Sequence, residues 1–157
     1  VSMKNREMTQ TLIKSGIEPN LNAEQEEQSF TYSLYPHAGT WREAGTEQEA
    51  LNRNVPAKAV AGAAEKDRME FLSVDKRDVV LETVKKAEDG DGVIVRLYEV
   101  ENARTKVTLH CAEAIASAEE TDLLENPIEG ALGVKENEIE LTIKPYEIRT
   151  IRIRTTR

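Results

Sequence analysis

The chain has 157 residues, a length that suits one domain with a single hydrophobic core. A formal net charge of −8 argues against nucleic acid as a partner, because phosphate binding requires a concentrated basic surface. With 39% hydrophobic residues the composition is that of a globular protein, and no window of about 18 apolar residues predicts a membrane span. We therefore expect one domain over residues 1–157 that binds neither nucleic acid nor membrane.

The cysteine content indicates the redox compartment. A single cysteine, Cys111, excludes an internal disulfide. It lies inside the alternating run 107–112, where a small buried hydrophobic residue is a simpler interpretation than a nucleophile. Because chains without disulfides are typical of reducing compartments, we predict a cytoplasmic location.

Alternation of apolar and polar residues dominates the sequence and predicts many short strands. In chain order they cover 8–14, 29–35, 70–74, 79–85, 93–100, 105–112, 114–121, 138–144 and 147–154. Residues 93–100 and 105–112 are predicted to form a hairpin, and Asp89–Gly92 supplies the strongest turn, because Asp-Gly pairs allow positive φ. A short helix is predicted around residues 42–53. Short strands separated by turns, with at most this one helix, indicate an antiparallel β-sandwich of the all-β class.

The titratable residues do not form a recognisable catalytic or metal motif. Neither His37 nor His110 has a second ligand at a spacing typical of zinc sites. The best pair of carboxylates is Glu99 with Glu101, on one face of a strand, where a glycosidase would require an acid and a base. Acidic residues at strand ends are usually solvated, so we favour a solvated pair. We predict no catalytic residue and no metal ligand in the chain.

Aromatic side chains are concentrated in the segment Phe30–Arg42, which also holds the only tryptophan. Its first residues alternate strictly, and His37, Trp41 and Arg42 lie in the loop that follows. An aromatic ring beside histidine and arginine is typical of a surface that stacks on sugar rings and donates to their hydroxyls. The alternative, which is the commoner use of such residues, is that Trp41 anchors a core or a domain interface and His37 bonds to a turn.

Three segments together resemble one known family: FTYSLYPHAGTWREA at 30–44, FLSVDKRDVVLETVKKAEDGDGVIVRLYEVENARTKVTL at 71–109, and IELTIKPYEIRTIRIR at 139–154. In this order they resemble the C-terminal β domain of the α-mannosidases of glycoside hydrolase family 38. The most specific parts are the Tyr-Pro-His turn at 35–37 with its following tryptophan, and the strand Arg-Leu-Tyr-Glu at 96–99. The likeness covers nearly the whole chain.

This resemblance implies that the chain is the C-terminal part of a longer, retaining α-mannosidase. Such enzymes use an aspartate nucleophile that forms a glycosyl-enzyme intermediate, and a divalent metal, usually zinc, that holds mannose hydroxyls. No residue here matches those motifs, so the resemblance implies that nucleophile and metal belong to an N-terminal catalytic domain and that this chain alone is inactive. It implies packing on that catalytic domain, with a mannoside as substrate of the intact enzyme. Five residues are candidates for the rim of the sugar site or the domain interface: His37, Trp41, Arg42, Arg96 and Tyr98.

Composition alone equally favours a free-standing carbohydrate- or protein-binding β-sandwich module. An accessory domain predicts a large apolar patch left exposed by its missing partner, whereas the module predicts a compact groove lined by Trp41. An exposed partner-facing surface could also cause the isolated chain to dimerise as an artefact. An independent hydrolase on this fold would require a pocket with two converging carboxylates, and we rank it last.

Overall fold

The chain consists of two compact units, Val1–His37 and Ala38–Arg157. The computed structural model describes residues 1–16, 18–23, 25–63 and 67–156. The first unit contains an antiparallel hairpin of β1 (Ser2–Lys4) and β2 (Glu7–Thr9), whose residues are all exposed. The prediction of one domain over residues 1–157 stays a prediction.

The described part of the second unit holds one helix and two antiparallel sheets. Its elements are α1 (Thr46–Asn54), β3 (Leu72–Val74), β4 (Val79–Lys86), β5 (Val93–Glu99), β6 (Thr105–Cys111), β7 (Ile115–Thr121), β8 (Pro127–Ala131), β9 (Val134–Lys135), β10 (Glu138–Ile143) and β11 (Ile148–Thr155). The strand order is β3-β6-β10-β9 in the four-stranded sheet and β4-β5-β11-β7-β8 in the five-stranded sheet. All of these pairings are antiparallel.

The two sheets share one apolar core, which explains why alternating valine, isoleucine and leucine produce this fold. Successive side chains of a strand point to opposite faces, so each central strand contributes every second residue to the core between the sheets. The core includes Val95, Leu97, Ile151 and Ile153 of the five-stranded sheet and Val107, Leu109, Ile139, Leu141 and Ile143 of the four-stranded sheet. Cys111 is part of this core as a free, buried thiol. The predicted antiparallel β-sandwich is confirmed.

The predicted hairpin between residues 93–100 and 105–112 is wrong. β5 pairs with β4 and β11, whereas β6 pairs with β3 and β10, so the connection at 101–104 crosses from one sheet to the other. The β3–β4 and β10–β11 connections cross in the same way. A strand with one buried face has the same alternation whether its neighbour in sequence lies beside it or across the core. The turn at Asp89–Gly92 does join a hairpin, formed by β4 and β5.

The strand predicted at residues 29–35 is also wrong. These residues have no regular secondary structure, and Phe30, Tyr32 and Leu34, which would share one face of the predicted strand, are 46%, 65% and 73% exposed. Alternation stabilises a strand only where a neighbouring strand pairs with its backbone, and no described strand pairs with this segment.

The predicted short helix is confirmed, with a later start. Residues 41–45 form a turn, and α1 begins at Thr46 because Gly45 has φ 65°, a left-handed conformation that a right-handed helix does not contain. In the part of the chain that the structure describes, no helix is long and apolar enough to cross a membrane.

Candidate functional site

Four of the five predicted site residues line two neighbouring clefts of the second unit. The Trp41 cleft, about 280 Å3 in volume, is lined by Trp41, Arg42, Arg77, Val100, Glu101 and residues 44–49. The Tyr98 cleft, about 550 Å3 in volume, is lined by Glu47, Glu82, Arg96, Tyr98, Glu99, Val100, Tyr146 and Ile148. The two clefts share Glu47 and Val100 and therefore adjoin each other. The fifth residue, His37, belongs to the first unit, where its ring centre lies 5.6 Å from that of Tyr35.

A capping turn presents Trp41 and Arg42. The backbone N–H and the hydroxyl of Thr40 donate to the Glu43 carboxylate at 2.7 and 2.9 Å, and the Glu43 N–H donates to the Thr40 hydroxyl at 3.3 Å. The backbone and side-chain bonds from Thr40 hold the pKa of Glu43 below its usual value. This reciprocal pairing has the bonding pattern of a capping box, here on the turn that precedes α1. Its Thr-x-x-Glu pattern is visible in the sequence and was not used in our prediction.

Within the Trp41 cleft, the arginine packs on the tryptophan. The Arg42 guanidinium carbon lies 4.8 Å from the centre of the Trp41 ring, a cation–π distance, and the indole remains 38% exposed. Arg77 Nη2 donates to the Arg42 carbonyl oxygen at 2.8 Å and also lies 3.6 Å from a Glu101 carboxylate oxygen. The cleft thus combines a partly exposed aromatic ring with positive and negative groups.

Trp41 fluorescence reports on this packing, because it is the only tryptophan of the chain. We expect Arg42→Ala to shift the emission maximum to longer wavelength and to increase quenching by acrylamide, since it uncovers the indole. Arg68→Ala is the control, because the Arg68 side chain is 83% exposed and pairs with Glu70. Equal emission spectra for the three proteins would contradict the stacking.

The Tyr98 cleft combines two tyrosines, an arginine and three glutamates. Arg96 Nε donates to the hydroxyl of Thr150, its partner across the β5–β11 pairing, at 3.3 Å. Burial raises the pKa of the half-buried Tyr98 phenol, and the carboxylates of Glu47 and Glu82 raise it further, so the phenol remains neutral and can donate. Tyr146 and Ile148 are 58% and 57% exposed. This side of the fold therefore carries exposed apolar side chains next to the Trp41 cleft, so it shows features expected of both an accessory domain and a binding module.

Glu99 has a structural role that sequence reasoning missed. Its side chain is 1% exposed, and its carboxylate accepts four backbone N–H bonds, from Glu101 (2.7 Å), Asn102 (3.0 Å), Ala103 (3.1 Å) and Tyr146 (2.9 Å). Two of the donors bond to each oxygen. The pair with Glu101 is therefore neither solvated nor a converging acid and base, because Glu99 is enclosed by loop N–H groups and Glu101 faces Arg77.

The zinc ion that the family resemblance implies is expected in an N-terminal catalytic domain, and the described residues of this chain are not arranged to hold it. Among them, no group of three or more histidine, cysteine, aspartate or glutamate side chains is placed to hold a metal ion. His110 Nδ1 lies 3.3 Å from a Glu138 carboxylate oxygen, and the neighbouring Cys111 side chain is buried in the core. No step of a reaction can therefore be derived through a metal held by these residues.

The match to a family model shows to which protein family residues 78–151 are related. Residues 78–151 match the model described as the glycosyl hydrolases family 38 C-terminal beta sandwich domain. Residues 78–151 belong to this domain family. The resemblance noted from the sequence is thereby confirmed, and the matched segment includes β4, β5 and the strands that form most of both sheets.

Several alpha-mannosidases align with nearly the whole chain. Alpha-mannosidase 2C1 of Mus musculus is 32% identical over an alignment of 157 positions that covers 96% of this chain. Alpha-mannosidase 2C1 of Homo sapiens and Alpha-mannosidase G of Dictyostelium discoideum are each 31% identical and cover 94% and 90% of it. The chain spans only 15%, 15% and 14% of these three relatives.

Proposed function

We propose that this chain is the non-catalytic C-terminal domain of a retaining, metal-dependent α-mannosidase that hydrolyses terminal α-mannosides. The observation that carries the proposal is the similarity to alpha-mannosidases over 90% or more of this chain but 15% or less of theirs. In this proposal the nucleophile and the metal, zinc by family, belong to the N-terminal catalytic domain. The chain alone is then inactive.

The two clefts are the proposed contact region with the catalytic domain and the rim of its sugar site. Trp41 offers a large, partly exposed aromatic surface, and Arg42 and Arg77 lie beside it. Aromatic and arginine side chains dominate the binding energy of protein interfaces, so this arrangement suits an interface anchor. Tyr146 and Ile148 extend the surface into the Tyr98 cleft. The outer face of β6, by contrast, is polar, with Lys106 paired to Glu140.

We expect the chain to show no hydrolysis of a chromogenic α-mannoside, with zinc or cobalt supplied. Mixed with the separately expressed N-terminal catalytic portion of the same enzyme, it should restore activity that the catalytic portion lacks. Trp41→Ala should lower this restored activity about tenfold or more if Trp41 anchors the interface.

Lys106→Ala is the control for the mixing experiment, because its side chain is 70% exposed on the polar outer face of β6. It should restore activity as well as the unchanged chain does. Size-exclusion chromatography of the isolated chain tests whether the same uncovered surface makes it dimerise. Hydrolysis by the chain alone would contradict a non-catalytic role.

The proposal also includes a cytoplasmic location. Cys111 is a free thiol with 2% exposure inside the core, as expected of a chain that folds without disulfides in a reducing compartment. Fractionation of the producing cells tests this location, and recovery of the enzyme in a secreted or membrane-enclosed fraction would contradict it.

A further inference from the structure

The Tyr98 cleft has the dimensions of a small-molecule site. Its volume of about 550 Å3 falls within the range of roughly 300–1,000 Å3 that is usual for such sites. Apolar surface comes from Tyr98, Tyr146 and Ile148. Polar groups come from one arginine, Arg96, and from carboxylates on α1 and β4, so the cleft has the mixed lining of a binding site.

Arg96 is positioned for binding. Its Nε is fixed by the hydroxyl of Thr150, which is 3% exposed and sits on the neighbouring strand. Within the described residues, its two terminal nitrogens have no hydrogen-bond or ion-pair partner. A guanidinium held at Nε retains four N–H donors at its terminal nitrogens, and these can reach a ligand without a change of rotamer.

The cleft places charges of both signs side by side. Glu47 and Glu82 both act on the Tyr98 phenol, so an anion that approached Arg96 would also meet these two carboxylates. A cation would meet the fixed Arg96 guanidinium. A neutral ligand with several hydroxyl groups meets no such repulsion, because it can accept from Arg96 and donate to the carboxylates.

Glu99 holds the backbone of one cleft residue in place before a ligand binds. Its carboxylate binds the Tyr146 N–H at 2.9 Å, and Tyr146 keeps φ 56°, a left-handed conformation that costs free energy outside glycine. The position of the Tyr146 backbone is therefore determined by the fold before any ligand arrives. Such preorganisation reduces the entropy lost on binding.

We infer that the Tyr98 cleft binds one neutral hexose ring, with Tyr98 and Tyr146 packing on its C–H surface and Arg96, Glu47 and Glu82 bonding to its hydroxyls. The choice of mannose as the hexose rests on the proposed function. The geometry of the cleft does not depend on it. The site is complete within the second unit, so we expect it to bind without the catalytic domain.

The test is a titration of the 15N-labelled chain with methyl α-D-mannopyranoside up to about 100 mM, followed by amide chemical shifts. We expect saturable shifts at Arg96, Tyr98, Tyr146 and Ile148. Tyr146→Ala and Arg96→Lys should each weaken binding about tenfold or more, because they remove a stacking ring or a charged donor fork. Tyr146 is largely exposed, so its replacement should leave the fold intact.

The matched controls are Tyr32→Ala, a 65% exposed tyrosine of the first unit, and Arg68→Lys, an 83% exposed arginine side chain. Both should bind as the unchanged chain does. The inference is overturned by the absence of saturable shifts, by shifts confined to other residues, by full binding in both cleft variants, or by displacement of the sugar by sulfate. A chain that binds sugar but fails to restore mannosidase activity retains the site and contradicts the proposed function. A chain that restores mannosidase activity but does not bind the sugar contradicts the site and not the proposed function.

Discussion

Replacing Glu99 with glutamine should lower the free energy of unfolding of the chain by about 3 kcal/mol or more. The buried carboxylate accepts four backbone N–H bonds, two at each oxygen. A glutamine amide has one oxygen, and its NH2 group would face two N–H donors that it cannot accept from. The β5–β6 and β10–β11 connections, which both cross between the sheets, lose bonds together, and the loss is measured by urea unfolding at pH 7.

The pH dependence of stability separates this charge effect from a simple packing defect. Burial raises the pKa of Glu99, but the four N–H donors more than reverse this, and its pKa lies below the usual value. A carboxyl group with a lowered folded pKa stabilises the protein above its unfolded pKa of about 4.3 and loses this contribution as pH falls through the folded value. The difference between the two proteins should therefore shrink as the pH is lowered below about 4.

Glu140→Gln is the control for this comparison. The Glu140 side chain is 64% exposed, and its ion pair with Lys106 lies on the surface. We expect little change in stability from this replacement, because exposed pairs are weak and screened by salt. A Glu99→Gln protein as stable as the Glu140→Gln protein, or a difference that does not depend on pH, would contradict the role assigned to Glu99.

Gly92→Ala should destabilise the chain by about 3 kcal/mol. Gly92 closes the β4–β5 hairpin with φ 95°, which strains any residue with a side chain. A Cβ atom there would also lie 2.6 Å from the carbonyl oxygen of Ile153 on β11. This contact is with backbone, so it can be relieved only by moving the end of the hairpin away from the neighbouring strand.

Gly90→Ala separates steric overlap from backbone strain. Gly90 lies in the same turn with φ 82°, but a Cβ atom there would meet only the flexible Lys86 side chain, at 3.5 Å. We expect Gly90→Ala to lower the free energy of unfolding by about 1 kcal/mol, because only the backbone strain at positive φ contributes. Thermal unfolding of the two variants measures the difference, and equal losses would contradict the close approach to β11.

The sequence predicts the sandwich but not the partners of each strand. Alternation at Val95 and Leu97, and at Val107 and Leu109, correctly predicts one buried face on β5 and on β6. The same alternation arises for two strands of a hairpin and for two strands that face each other across a core. Alternation therefore cannot show that the chain changes sheets between β5 and β6. The turn at Asp89–Gly92 was predictable because its residues impose a backbone conformation.

The candidate site was predicted in part for similar reasons. Trp41, Arg42, Arg96 and Tyr98 carry chemical signals of their own and come together in the structure. Tyr146, Glu47 and Glu82 complete the Tyr98 cleft, but they come from a crossover connection, a helix and an edge strand. Their convergence depends on the pairing of strands, which alternation does not determine.

Glu99 also links the motions of two chain segments that are distant in sequence. The N–H groups of Asn102 and Tyr146 bond to the same carboxylate oxygen. Departure of that oxygen exposes both to water at once, so amide hydrogen exchange at the two positions should follow one common opening event. This end of the sandwich then behaves as one cooperative unit, and the wall of the Tyr98 cleft folds or unfolds locally as a whole.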